Sequence, residues 1–127
     1  MQDKIFKRAF ILLIVIGVLH QIAMLYSLYW TLSWFDILLH FLGGAWVALI
    51  FIWFQRMGKM STSRLFNTPL RAAIVGTLLI GALWEIFEYI TGQTFAIEGY
   101  TLDTIMDFIM DTTGALVAYY YSKKLHD

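Results

Sequence analysis

Four runs of mostly apolar residues, each long enough to cross a bilayer, constrain this chain more than any other feature. They extend from about Ile5 to Tyr26, Trp34 to Phe54, Pro69 to Ile90 and Thr101 to Ser122. A hydrocarbon core of ~30 Å needs ~20 such residues in a helix. In lipid, backbone polar groups must be satisfied within the segment, so each run reads as a helix. Composition agrees: 60% of the 127 residues are hydrophobic and only 14% are charged, against ~25% charged in soluble domains. Lys4, Lys7 and Arg8 precede the first run, as in a signal peptide. That run is too long for a signal h-region and no small-residue cleavage site follows, so it is expected to be retained.

The linkers are short, so successive helices are expected to be antiparallel neighbours. The expected fold is all-α, a polytopic four-transmembrane-helix bundle formed by residues 1–127 as a single domain. Local signals mark its boundaries. Ser33 is expected to cap the second helix, with Asp36 in the capping-box position. Pro69 suits the first turn of the third helix behind Thr68 or Asn67, and Gly92 its end.

Charge is strongly segregated. All nine basic residues (Lys4, Lys7, Arg8, Arg56, Lys59, Arg64, Arg71, Lys123 and Lys124) fall at the N-terminus, in or beside the second linker, or at the C-terminus. The positive-inside rule then places both termini in the cytoplasm of a bacterial inner membrane. Of the acids, only Asp3 and Asp127 share that side. Asp36, Glu85, Glu88, Glu98, Asp103, Asp107 and Asp111 belong to the other, beside an aromatic belt of Tyr26, Tyr29, Trp30 and Trp34. The net charge is zero, which offers nothing to nucleic acid. The absence of cysteine excludes disulfides and thiolate metal sites.

Helical spacing sets the acids on faces. Asp103, Asp107 and Asp111 step by four, forming a stripe ~12 Å long at ~1.5 Å per residue. Glu85 and Glu88 share a face of the third helix, and Asp36 and His40 one of the second. His20 in the first helix reaches a similar depth. An aspartate at a helix centre costs ~2.5–3.5 kcal/mol of insertion, while each Leu, Ile, Val or Phe returns only ~0.3–0.6. The six such residues between Leu102 and Val117 return roughly 2–4 kcal/mol together, so the fourth helix needs partners for its acidic face. No Lys or Arg is at hand, which leaves histidine, shared protons or a metal cation. The small-x-x-x-small pairs Gly44/Ala48 and Gly114/Ala118 would let helices two and four approach closely.

Carboxylates with imidazole suit Mg, Mn, Zn or Fe. The expected ligands are His40, Glu85, Glu88 and Asp107, with Asp103 or Asp111 as a further ligand or a general base. Asp36 is a ligand or a helix-capping residue. The expected activity is binding of, or metal-dependent chemistry on, a phosphate-bearing lipid or envelope precursor. The alternative is a shared-proton carboxylate network in a small cation or proton conductor that works as a homo-oligomer. A non-catalytic scaffold is the third. Trp84, Phe87 and Tyr89 read as packing and interface residues.

Three pieces in order, F-D-x-x-x-H-F-x-x-G (Phe35 to Gly44), W-E-x-x-E-Y (Trp84 to Tyr89) and D-x-x-x-D with glycine seven residues on (Asp103, Asp107, Gly114), resemble the YjdF-like bacterial membrane proteins, a family of unknown function. The resemblance spans about residues 34–118 and is more distantly similar to the VanZ-like proteins, which are associated with glycopeptide tolerance. It implies an envelope setting and no particular reaction. Asp111 is not a fixed part of the pattern. Gly99, Asp103 and Asp107 are also similar to the second half of the CDP-alcohol phosphotransferase motif, whose first half is absent here.

Overall fold

A computed structural model describes residues 2–60, 62–92 and 100–125. Glu98, Gly99 and Asp127, named above, lie outside the described residues. All regular secondary structure among those described is helical: α1 (Gln2–Leu25), α2 (Leu28–Thr31), α3 (Ser33–Arg56), α4 (Pro69–Thr91) and α5 (Tyr100–Lys124). The four long helices coincide with the four apolar runs. The single turn α2 was not foreseen. It follows Ser27, whose left-handed backbone (φ 56°) reverses the chain after α1.

Two of the expected boundary devices are present. Thr68 caps α4, its hydroxyl accepting from the Arg71 amide at 3.2 Å, with Pro69 directly behind it. Replacing Thr68 with Ala should cost ~0.5–2 kcal/mol, read as a lower melting temperature in detergent. Gly92 closes α4 in the left-handed conformation, φ 68°. The third device is absent. Ser33 lies inside α3, the N-cap is Leu32, and no side chain caps the helix. Asp36 is therefore not part of a capping box, and it turns toward His40 instead.

Contacts along the helices give their directions. His40 meets Asp111 and Arg56 meets Ser122, so α3 and α5 run the same way. Thr77 on α4 bonds the Gly44 carbonyl of α3 while Gln55 reaches Asn67, so α4 runs against α3. Phe6 packs against Trp53 at a tilt, with centroids 5.0 Å apart, and α1 also runs against α3. Helices α3, α4 and α5 pack on one another, and α1 lies against α3.

The core is built from small residues. Ala9, Ala45, Ala48, Ala73, Ala115 and Ala118 are buried around Ile5, Leu49 and Ile52. Large apolar side chains such as Phe10, Ile14, Leu83, Ile90 and Ile109 point outward. In water this arrangement would strand far more apolar surface than a soluble monomer exposes. In lipid, where helices associate by close backbone approach, it is the expected one. The molecule is a membrane protein. Helices α1, α3 and α4 are long and apolar enough to span a bilayer. Helix α5 has the length, 25 residues, but three aspartates make it the least apolar of the four.

Candidate functional site

The site forms where α3 and α5 begin and α4 ends. The close approach of α3 and α5 rests on two glycines. A Cβ added at Gly44 would fall into the backbone of Asp111, and one at Gly114 into the Phe41 carbonyl. Gly43, the neighbour of Gly44, faces open space and contributes nothing comparable. A third glycine completes the fit from α4. A Cβ at Gly81 would stand 2.9 Å from Asp111 Oδ2. Two helices, α3 at Gly44 and α4 at Gly81, thus give way around Asp111 of α5. The α3–α5 pairing anticipated from small-residue spacing is present, whereas Gly81 was missed although it stands four residues past Thr77 on α4, the same small-residue spacing.

His40 is the hub. Its Nδ1 hydrogen donates to Asp111 Oδ1 at 3.1 Å. Its Nε2 faces Asp107 Oδ1 at 3.4 Å and Asp36 Oδ1 at 3.8 Å. One ring nitrogen is therefore occupied by a carboxylate, and the other looks between two more. Asp107 is only 2% exposed, and Glu85, Glu88 and Asp111 are also buried. Glu85 Oε2 accepts from the Thr104 hydroxyl at 2.9 Å, and Glu88 Oε1 accepts from Trp84 Nε1 at 2.8 Å. Asp107 Oδ2 is buried and has no hydrogen-bond partner.

Two trios of ligand-bearing groups emerge, Asp36/His40/Asp107 and Glu85/Glu88/Asp107. In each, one atom per residue lies within 4.8 Å of the others. Asp103 is half-buried one turn further out and joins neither trio. Asp111 joins neither trio, and its Oδ1 meets His40 Nδ1. The acidic faces of α3, α4 and α5 do converge, as periodicity and depth anticipate.

Three contributors were overlooked. Trp84 was assigned to packing, yet it fixes Glu88, and the four-residue spacing could have revealed the pair. Thr104 lies one residue off the acidic stripe and so turns toward α4. Tyr29 accounts for His20: the phenol donates to His20 Nδ1 at 2.7 Å, which ties His20 to α2 and leaves it out of both trios. Burial, then the Asp36 carboxylate, push the Tyr29 hydroxyl up to about 12, so it stays protonated. It also meets Phe35 edge-on, linking the short helix to the start of α3.

Electrostatics at this end are one-sided. Asp36, Glu85, Glu88, Asp103, Asp107 and Asp111 face a single imidazole, and every Lys and Arg lies toward the other end of the helices. The N-termini of α3 and α5 supply partial positive charge within their first turns, which reaches Asp36 and Asp103 but not Asp107 or Asp111. Shared protons or bound cations would supply the remaining countercharge, and the carboxylate and imidazole donors are of the kind that fit a cation.

The family model described as "Predicted membrane protein (DUF2238)" matches residues 4–127. It agrees with the coarser part of the resemblance, a membrane protein family of unknown function, and lends no support to the VanZ-like likeness. No curated protein matches the chain, and no solved structure does.

Proposed function

The chain belongs to this family of predicted membrane proteins (DUF2238), and from that premise we propose that it is a four-span protein of the bacterial cytoplasmic membrane carrying an extracytoplasmic divalent-cation site for phosphate-bearing lipids or envelope precursors. The topology follows from charge. The N-terminus, the residues joining α3 to α4 and the C-terminus share the basic end, which the positive-inside rule assigns to the cytoplasm. The acidic end then faces outward.

The division of labour at His40 carries the metal reading. Metal-binding histidines commonly donate one ring N–H to a carboxylate and coordinate through the other nitrogen. Here Asp111 takes Nδ1, which leaves Nε2 aimed between Asp36 and Asp107. Those three residues would hold the cation, and Asp111 positions the ring. A cation so held can bridge to phosphate oxygens and polarise them. Asp103, nearer the surface, is placed to act as a further ligand or a general base. A conductor would need a polar path onward through the helices. Beyond Asp111 the core instead closes with Ala48, Leu49, Ile52, Ala115 and Ala118, which favours a site entered from one end.

Two measurements test this. Asp111→Asn should weaken metal affinity ~10–100-fold, read by competition with a chelating dye, while leaving the stoichiometry unchanged at saturating metal. Unchanged affinity would remove Asp111 from its positioning role. Native mass spectrometry should show phosphatidate retained by the Mn-loaded protein, lost with chelator, and not replaced by phosphatidylcholine. Retention that ignores the chelator would remove the phosphate part of the proposal.

A further inference from the structure

The site just described uses one side of Asp107. On its other side stand Glu85 and Glu88, one turn apart on α4 and buried at 7% and 8% exposure. They form a trio with Asp107 as compact as the first. Each already has one oxygen fixed, Glu85 by Thr104 and Glu88 by Trp84, so the pair is oriented before any ligand arrives. The two trios share Asp107 and do not merge into one set of the same span. A single ion would therefore have to choose between them.

Asp107 itself carries the independent observation. Its Oδ1 faces His40 at 3.4 Å. Its Oδ2 is, among the described residues, the one fully buried carboxylate oxygen without a hydrogen-bond partner. A bare acceptor in that position costs the full desolvation of the group unless something positive meets it. Among the described residues no Lys or Arg side chain lies at this end of the helices.

We propose that the cluster binds two divalent cations bridged by the Asp107 carboxylate, one held with Asp36 and His40 and the other with Glu85 and Glu88. The inference rests on the cation site of the preceding section. The second trio offers oxygen alone and suits a hard ion such as Mg or Mn, while the imidazole of the first widens its choice to Zn or Fe. A bridging carboxylate sets paired ions ~3.5–4 Å apart, the separation at which they clamp both sides of a phosphoryl group. The preferred ligand would then be a phosphoester whose oxygens span both ions.

The test loads the full-length protein in detergent with Mn, removes free ion, and measures Mn per chain together with the electron paramagnetic resonance spectrum. Two Mn per chain with an exchange-coupled spectrum is the expected result. Glu85→Gln/Glu88→Gln, and Glu88→Gln alone, should retain one Mn with an isolated-ion spectrum, and that retained ion reports that the fold survives. One Mn in the native chain would overturn the second cation and leave the first standing. Two uncoupled Mn ions would overturn the bridge. No bound Mn would overturn both this inference and the site on which it rests.

Discussion

Asp107→Asn should abolish metal binding altogether, because Asp107 is the only residue common to both trios. Plasma mass spectrometry should find less than about a tenth of the native metal, since an uncharged amide replaces a bridging anion. The same substitution should raise the melting temperature of the metal-free protein. It removes a buried, partly unpartnered carboxylate from among like charges, and such groups burden the folded state. The native chain should gain stability on adding metal, by ~2.7 kcal/mol per bound cation at a hundredfold excess over Kd, and the variant should gain none. Asp3→Asn is the control, since Asp3 lies in the first turn of α1 at the basic end and should keep its metal. A variant that binds as the native chain does would refute the central role given to Asp107.

Gly44→Ala should remove metal without touching a ligand. The added methyl would collide with the Asp111 backbone, and a helix backbone cannot step aside as a side chain can. Overpacking of this kind costs ~1–3 kcal/mol, and the upper end is expected here. The relief available is for α5 to shift away from α3, which takes Asp107 and Asp111 off His40. Melting in detergent and metal content should therefore fall together. Gly43→Ala introduces the same methyl into open space and should leave both unchanged. Equal behaviour of the two variants would refute the close helix contact.

The long helices were legible because a bilayer imposes its own thickness on the sequence, and the segregation of charge was visible by inspection. Periodicity placed Asp107, Asp111, Glu85, Glu88, Asp36 and His40 on the right faces, since a step of three or four keeps residues aligned on a helix. It could not say how Asp111 and Asp107 divide their work, because that depends on which nitrogen of His40 each one meets. The Ser33 capping box failed for a related reason. The pattern asks only for residue types at a spacing, while the chain enters α3 one residue earlier, from Leu32. Thr104 was invisible because its partner lies on another helix, while Gly81 was legible in its four-residue spacing from Thr77 and was passed over. Trp84 was legible and was assigned to packing.

The three aspartates of α5 also bear on the order of assembly. Synthesised after α3 and α4, α5 meets a membrane that charges each of those carboxylates several kcal/mol at depth. Gly44, Gly81 and the face of His40 are by then already in place on α3 and α4. On the proposed topology, α5 enters beside a receptive surface and is poorly retained without one. A chain lacking α4 should leave α5 on the aqueous side, and assembly of the cation site would wait on the entry of α5.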